Sequence, residues 1–167
     1  MAVVLVKSAA ITAMDTAGSL LPKTAVARGA LIVAKGKVEH GAADSIASIY
    51  RYCRVPSNAV IDQIYLRCTA IATAPAMDIG LYKTTADGGA VVSVALFASA
   101  QVLTSALAIL TDVTNESTTV TPTLYEQPLW QVLGLASDPG IMYDVCGTLT
   151  VATTATGQST LRVGYTE

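Results

Sequence analysis

From Ala59 onward the chain alternates between apolar and polar positions. Ile64, Leu66, Cys68 and Ala70 share one parity, and Gln63, Tyr65, Arg67 and Thr69 share the other. Side chains on a strand point to opposite faces in turn, so this pattern predicts a strand with a dry side and a wet side. A second strand-like run, Ile46 to Val55, precedes it, and the two form the central pair of the chain. Between them lies Pro56-Ser57-Asn58. Proline fixes its φ and removes a backbone donor, and Ser and Asn close turns through their side chains, so the junction bends instead of pairing.

The same period recurs on both sides. Ala30, Ile32, Ala34, Gly36 and Val38 alternate with Leu31, Val33, Lys35, Lys37 and Glu39, giving an amphipathic strand that His40-Gly41 ends. After a break at Ala74-Pro75, Met77, Ile79 and Leu81 alternate with Asp78, Gly80 and Tyr82. Asp87-Gly88-Gly89 then predicts a tight hairpin into a strand from Val91 to Phe97, buried at Val92, Val94 and Leu96. Val102, Leu103, Ala106, Leu107 and Leu110 recur at spacings of three and four, which predicts a helix over Ala100–Leu110 with Ser99 as N-cap. Thr111 to Thr123 reads equally as a loop or as a Thr-rich exposed strand. Pro128 to Gly134 has the proline-first, glycine-last signature of one or two helical turns. Asp138-Pro-Gly140 is a turn, Tyr143, Val145, Leu149 and Val151 mark a strand, Ala155-Thr-Gly157 turns again, and Leu161, Val163 and Tyr165 mark the last strand.

Seven or eight strands with short helical connections predict an all-β, jelly-roll-like β-sandwich. Residues 2 to about 28 carry Gly18, Pro22 and many small residues without a firm period, so 1–28 is expected to be an extended N-terminal arm. In it Val3 to Val6 are suited to adding a strand to a sheet edge. Residues 29–167 then form a single β-sandwich domain.

Composition changes the picture in one respect. Charged residues are 13% of the 167-residue chain and hydrophobic residues 52%, against roughly 25% charged in ordinary soluble chains. So few charges leave a surface made of Thr, Ser and Ala, of area covered by other chains, or of both. The net charge is −2 and the basic residues are scattered, which excludes an electrostatic footprint for nucleic acid. Arg51, Arg54 and Arg67 come nearest to a patch and are expected to pair with carboxylates such as Asp62 or Asp78. Cys53, Cys68 and Cys146 are odd in number and lack metal-ligand spacing, so they read as small apolar side chains made in a reducing cytoplasm. No apolar run approaches the ~20 residues of a membrane span, and the N-terminus is a poor signal peptide. The chain is expected to be soluble and intracellular where it is made.

Candidate chemistry is sparse. His40 is the one histidine, expected as an exposed turn residue, and no G-x-S-x-G surrounds a serine that it would activate. Asp138 reads as a turn former, Asp144 as a wet-face strand residue, and Asp112 and Glu116 as members of a polar loop. No calcium loop and no phosphate-binding glycine pattern is present in the sequence. The sequon Asn115-Glu-Ser117 has no meaning without a secretory signal. Trp130, beside Leu129, Val132 and Leu133, is expected in the core. Tyr50 and Tyr52 share a parity and are expected as a small exposed stripe. Neither a catalytic residue, a metal nor a cofactor is expected, and the chain is read as non-enzymatic.

Several stretches resemble the capsid decoration, or cement, proteins of tailed bacteriophages: Tyr50-Arg-Tyr-Cys-Arg-Val-Pro-Ser-Asn-Ala59, Asp78-Ile-Gly-Leu-Tyr82, Leu129-Trp-Gln-Val-Leu-Gly134, Asp138-Pro-Gly-Ile-Met-Tyr-Asp144, and the start Val6-Lys-Ser-Ala-Ala-Ile-Thr12. The resemblance runs over nearly the whole chain. It implies a jelly-roll-like domain present in many copies on the capsid exterior, bound to the major capsid protein and self-associating as a dimer or trimer, without nucleic acid or membrane. It also implies assembly in the host cytoplasm. Val3, Val4, Leu5, Val6, Tyr50 and Tyr52 are the candidate capsid contacts. The rival reading is a receptor- or carbohydrate-binding module of a fibre or tail, which needs an exposed aromatic platform at Tyr50 and Tyr52.

Overall fold

The computed structural model of the chain describes residues 30–69, 71, 75–103 and 110–167. The proposed arm, with Val3 to Val6, lies outside the described residues, as do Ala70 and Ala74. Eight strands form among the described residues: β1 (Ile32–His40), β2 (Ile49–Pro56), β3 (Val60–Cys68), β4 (Ala76–Lys83), β5 (Val91–Val102), β6 (Thr111–Asp112), β7 (Met142–Val151) and β8 (Gly157–Thr166). One helical turn, α1, spans Leu129–Val132.

The strands make two antiparallel four-stranded sheets, ordered β1-β8-β3-β6 and β2-β7-β4-β5. Partners run from the outside of the sequence inward: β1 with β8, β2 with β7, β3 with β6, β4 with β5. That is a long antiparallel ribbon wrapped over itself, so consecutive strands switch layers except at the β4–β5 hairpin, the jelly-roll-like sandwich that the alternation predicts. Ile64, Leu66, Val163 and Leu161 from one sheet meet Met77, Ile79, Leu81, Val145 and Leu149 from the other in a buried core.

The supposed central pair is not a pair. β2 and β3 lie in different sheets, and Pro56-Ser57-Asn58 carries the chain from one to the other. Two other turns hold that crossover. The Ser57 amide donates to the Ile141 carbonyl at 2.8 Å and its hydroxyl to Asp138, while the Trp130 amide donates to the Ser57 carbonyl at 3.0 Å. A hairpin partner is unnecessary because the amide, carbonyl and hydroxyl of Ser57 all find partners in these turns.

Other departures have local causes. β2 begins at Ile49, not Ile46, because Ala47 adopts a left-handed φ of 70°. The expected helix does not start at Ala100: β5 continues to Val102, pairing with Ala76, and residues 104–109 lie outside the described ones. The hairpin after β4 is wider than predicted. Thr84 caps a short 3₁₀ turn over Thr85–Asp87 before Gly88 and Gly89 reverse the chain with positive φ. Val94 is exposed because the register between β4 and β5 slips around Gly80, where the backbone of Ser93 and Val94 bulges over the glycine. Val151 is exposed at the end of β7, and Trp130 is half-buried, with Leu129 filling the core in its place.

Candidate functional site

The corner where β1 meets β2 gathers most of the unusual chemistry. His40 is buried, a correction to its expected place in an exposed turn. It ends β1 opposite Gly157, and its Nε2 lies 2.6 Å from the hydroxyl of Ser159 on β8. The same hydroxyl lies 2.6 Å from the Tyr52 phenol on β2, so one serine joins the two layers. The Tyr50 ring packs against the imidazole at 4.3 Å and 57°, and its phenol donates to Asp44. Asp44 also accepts from the Gly41 amide at 2.7 Å, closing the loop after β1. The His40 Nδ1 is buried without a hydrogen-bond partner.

Tyr50 and Tyr52 therefore form no exposed stripe. Tyr52 is drawn between the sheets and Tyr50 is half-buried against His40. The serine–histidine contact is not arranged for acyl transfer either. Ser159 is 1% exposed, so no carbonyl reaches its oxygen, and that oxygen is already shared by His40 and Tyr52. What the cluster does is tie β8 and β1 to β2.

Burial holds the His40 imidazole below the ordinary histidine range, partly opposed by the nearby Asp44 charge. Hydrogen bonds from Tyr50 and the Gly41 amide in turn hold Asp44 low. As pH falls below histidine's free value of about 6.5, the unfolded chain takes a proton that the fold refuses, so stability drops until the folded value is passed. Thermal melting should fall steadily from pH 7.5 to 5.5, and His40→Gln should flatten that slope. An unchanged slope in the variant would show that His40 is not the group responsible.

The second cluster lies on the outer face of sheet β2-β7-β4-β5. Arg51 and Arg54 pair with Asp144 at 2.8 and 2.7 Å, not with Asp62 or Asp78. Asp144 is not a wet-face residue; its side chain is 7% exposed beneath the two guanidiniums. Arg51 also donates to the carbonyls of Lys83 and Gly89 and lies 5.7 Å over the Tyr82 ring, pinning the β4–β5 hairpin. Asp78 accepts instead from the Ala100 amide, Asp112 from Thr114, Glu116 from the Ser99 amide, and Asp138 from Gly140, so these four carboxylates have structural tasks. The three cysteines are free, and burial pushes the thiols of Cys53 and Cys146 up to about 12, which keeps them unreactive.

The remaining feature is an edge. Among the described residues β5 is the terminal strand of its sheet, twelve residues long without a charge or proline, and it exposes Val91, Val94 and Val102. Edge strands of monomers are normally blunted by charge or proline. Sequence reasoning placed the strand but not its position at the edge, since strand order depends on contacts far apart in the chain.

These features define an antiparallel, two-sheet jelly-roll-like domain whose polar clusters are internal ties and whose exposed features are sheet edges and faces. No protein-family model matches the sequence, and no curated protein matches it. Among solved structures, the chain is similar in fold to a chain of one titled "Cyanophage Pam1 capsid asymmetric unit", with a TM-score of 0.55, 17% identity, and coverage of 91% of this chain and 96% of that one. At such identity the likeness is one of fold.

Proposed function

We propose that this chain is a virion structural protein that attaches to the outside of a phage head and stabilises it, a cement or decoration protein. The observation that carries the reading is the end-to-end fold likeness to a chain from a cyanophage capsid, which leaves almost nothing of either chain unaccounted for. The low charge, the blank β5 edge and polar clusters that serve as internal ties support it.

In this reading the partners are the major capsid protein and further copies of the chain, as a dimer or trimer. The protein binds no cofactor, is not an enzyme, and gathers on capsids in the host cytoplasm. A standard interface buries ~800 Å² per partner, and many copies multiply a modest contact over the whole shell. The 1–28 arm, with Val3 to Val6, adds strand-like contacts to a neighbour on docking. The glycan-binding alternative needs an exposed Tyr50/Tyr52 platform, and those rings are buried or half-buried, so no observation favours it.

Deleting residues 1–28 should weaken attachment to particles while the sandwich keeps its melting transition. Sedimentation with purified heads lacking the protein reads the first, and calorimetry the second. Full attachment by the truncated chain would remove the arm from the account, and no attachment by the intact chain would end the reading itself.

A further inference from the structure

The corner at His40 holds a directed chain of hydrogen bonds. The Tyr52 phenol donates to the Met77 sulfur at 3.6 Å. Its oxygen is then left to accept from the Ser159 hydroxyl, and the Ser159 oxygen to accept from His40 Nε2. Every proton from imidazole to thioether has an acceptor. The chain assigns the neutral ring its proton on Nε2. Nδ1, buried without a partner, then carries only a lone pair, which costs less than a buried N–H with nowhere to point.

A second proton has no place in this arrangement, because it puts an N–H on Nδ1 where no acceptor waits. The titratable groups around the ring do not supply one. In the loop after β1, Asp44 Oδ2 already accepts from the Gly41 amide and from Tyr50. On β2, burial pushes the phenols of Tyr50 and Tyr52 up, so both stay neutral in acid. On β3, Cys68 stands opposite Ser159, and a thiol is neutral in acid. Glu39, of opposite parity on β1, is engaged by Lys37 at 3.8 Å and by Gln158 at 3.1 Å. β8 and the turn before it bring the uncharged Ser159, Gln158 and Thr156.

A charged ring nevertheless has an exit. Beside it lies an open hollow of about 450 Å³ lined by Glu39, Gly41, Thr156 and Gln158, where water and a carboxylate favour an imidazolium. We propose that this corner is an acid-operated latch. With His40 neutral, the ring sits against Tyr50 and Ser159 and fastens the end of β1 to β8 and β2. With His40 charged, the ring swings into the hollow, and the end of β1 and Tyr50 come loose while the two sheets stay packed. Thr153 keeps the movement local: its hydroxyl donates to the Gly41 carbonyl at 2.6 Å and its amide to the Asp44 carbonyl at 3.0 Å, mooring the loop. The melting slope reads the whole fold, whereas the latch says where the proton enters and what it releases. It stands apart from the capsid reading.

Nuclear magnetic resonance on the full chain tests it. At pH 7.5 the imidazole nitrogens should report the proton on Nε2. As His40 takes up its second proton, the contact between its ring and that of Tyr50 should disappear, while contacts of the Ile79 and Val145 methyls remain. Amides of residues 38–41 and 157–159 should lose protection from hydrogen exchange by about tenfold per pH unit below about 6.5, the limit for one proton. Their exchange should not respond to dilute urea, since a local opening exposes little surface. His40→Gln, which keeps a donor for Ser159, should hold one level of protection across the range. A proton on Nδ1 at neutral pH, a ring contact that survives protonation, its loss only together with the core contacts, or an unchanged acid response in His40→Gln would overturn the latch. The first three are read on the unaltered chain, so they decide the matter even if the variant fails to fold.

Discussion

Gly36→Ala should cost about 3 kcal/mol or more, a large loss against a domain stability of roughly 5–15 kcal/mol. A Cβ at Gly36 would sit 1.8 Å from the Tyr52 carbonyl oxygen and 2.4 Å from its carbon. Both are backbone atoms, so no rotamer change relieves the overlap. Tyr52 is the extra residue where the β2–β7 register slips between Arg51 and Cys53, and the bulge pushes its carbonyl toward β1. To admit a methyl group, β1 would have to pull away from β2. That would open the contact from Tyr52 to Ser159 and with it the hold on His40. For a chain of this length the melting temperature should fall by about 6–12 °C. Gly88→Asn is the matched comparison: Gly88 has a φ of 89° but nothing within 4 Å of a Cβ. Asn tolerates left-handed backbone, so this variant should stay within about 0.5 kcal/mol of wild type. If Gly36→Ala melts with the parent, β1 and β2 do not meet as closely as described.

Strand content was legible because parity is a local property. Ile64, Leu66 and Cys68 against Gln63, Tyr65 and Arg67 needed no knowledge of partners, and the inward set is buried. Turn chemistry was equally local at Asp138-Pro-Gly140, where Gly140 has positive φ and its amide donates to Asp138. What escaped was everything fixed by distant partners. Alternation does not say that β2 and β3 separate into different layers, and it pairs Arg51 with a nearby carboxylate when the true partner is 93 residues away. Asp144 stands on the outward parity, which ordinarily means water; here that face is roofed by two arginines. The Gly41 neighbour of His40 predicts an exposed turn, while the loop to Asp44 and the Tyr50 ring close over the imidazole. At the end of β5, Val102 opens the three-and-four spacing that predicts a helix over Ala100–Leu110, yet Gln101 and Val102 pair with Met77 and Ala76 of β4 as strand.

The two polar clusters have different standing in the energetics. The corner at His40 joins the layers through the neutral bonds of Ser159 to His40 and Tyr52, each worth roughly 0.5–1.5 kcal/mol net, beside the bond from Tyr50 to the Asp44 carboxylate. The Asp144 cluster joins three strands of one sheet through charge, since Arg51 and Arg54 come from β2, Asp144 from β7, and Arg51 reaches the carbonyl of Lys83 on β4. A sheet clamped on its outer face in this way holds β2, β7 and β4 in register.

Asp144→Asn should therefore destabilise the chain by about 2–3 kcal/mol at neutral pH. That is below the range for wholly buried pairs, because Arg51 and Arg54 remain 31% and 52% exposed and water screens them. Burial alone would raise the Asp144 carboxyl, but the hydrogen bonds and charges of Arg54 and Arg51 outweigh it and hold the group below the ordinary aspartate range. A carboxyl depressed in the fold contributes its full stability above the unfolded value of about 3.9, and loses it as pH falls through the lower folded value. The gap between wild type and Asp144→Asn should thus be widest at neutral pH and close in strong acid, where the wild-type carboxyl becomes the neutral group that Asn imitates. Arg51→Met should cost more than Arg54→Met, since Arg51 is less exposed, bonds two further carbonyls and lies over Tyr82. Denaturant melts of the three variants from pH 7 down to pH 2.5 measure both orderings. A gap that persists undiminished in acid would mean that packing around Asp144, and not its charge, holds the sheet.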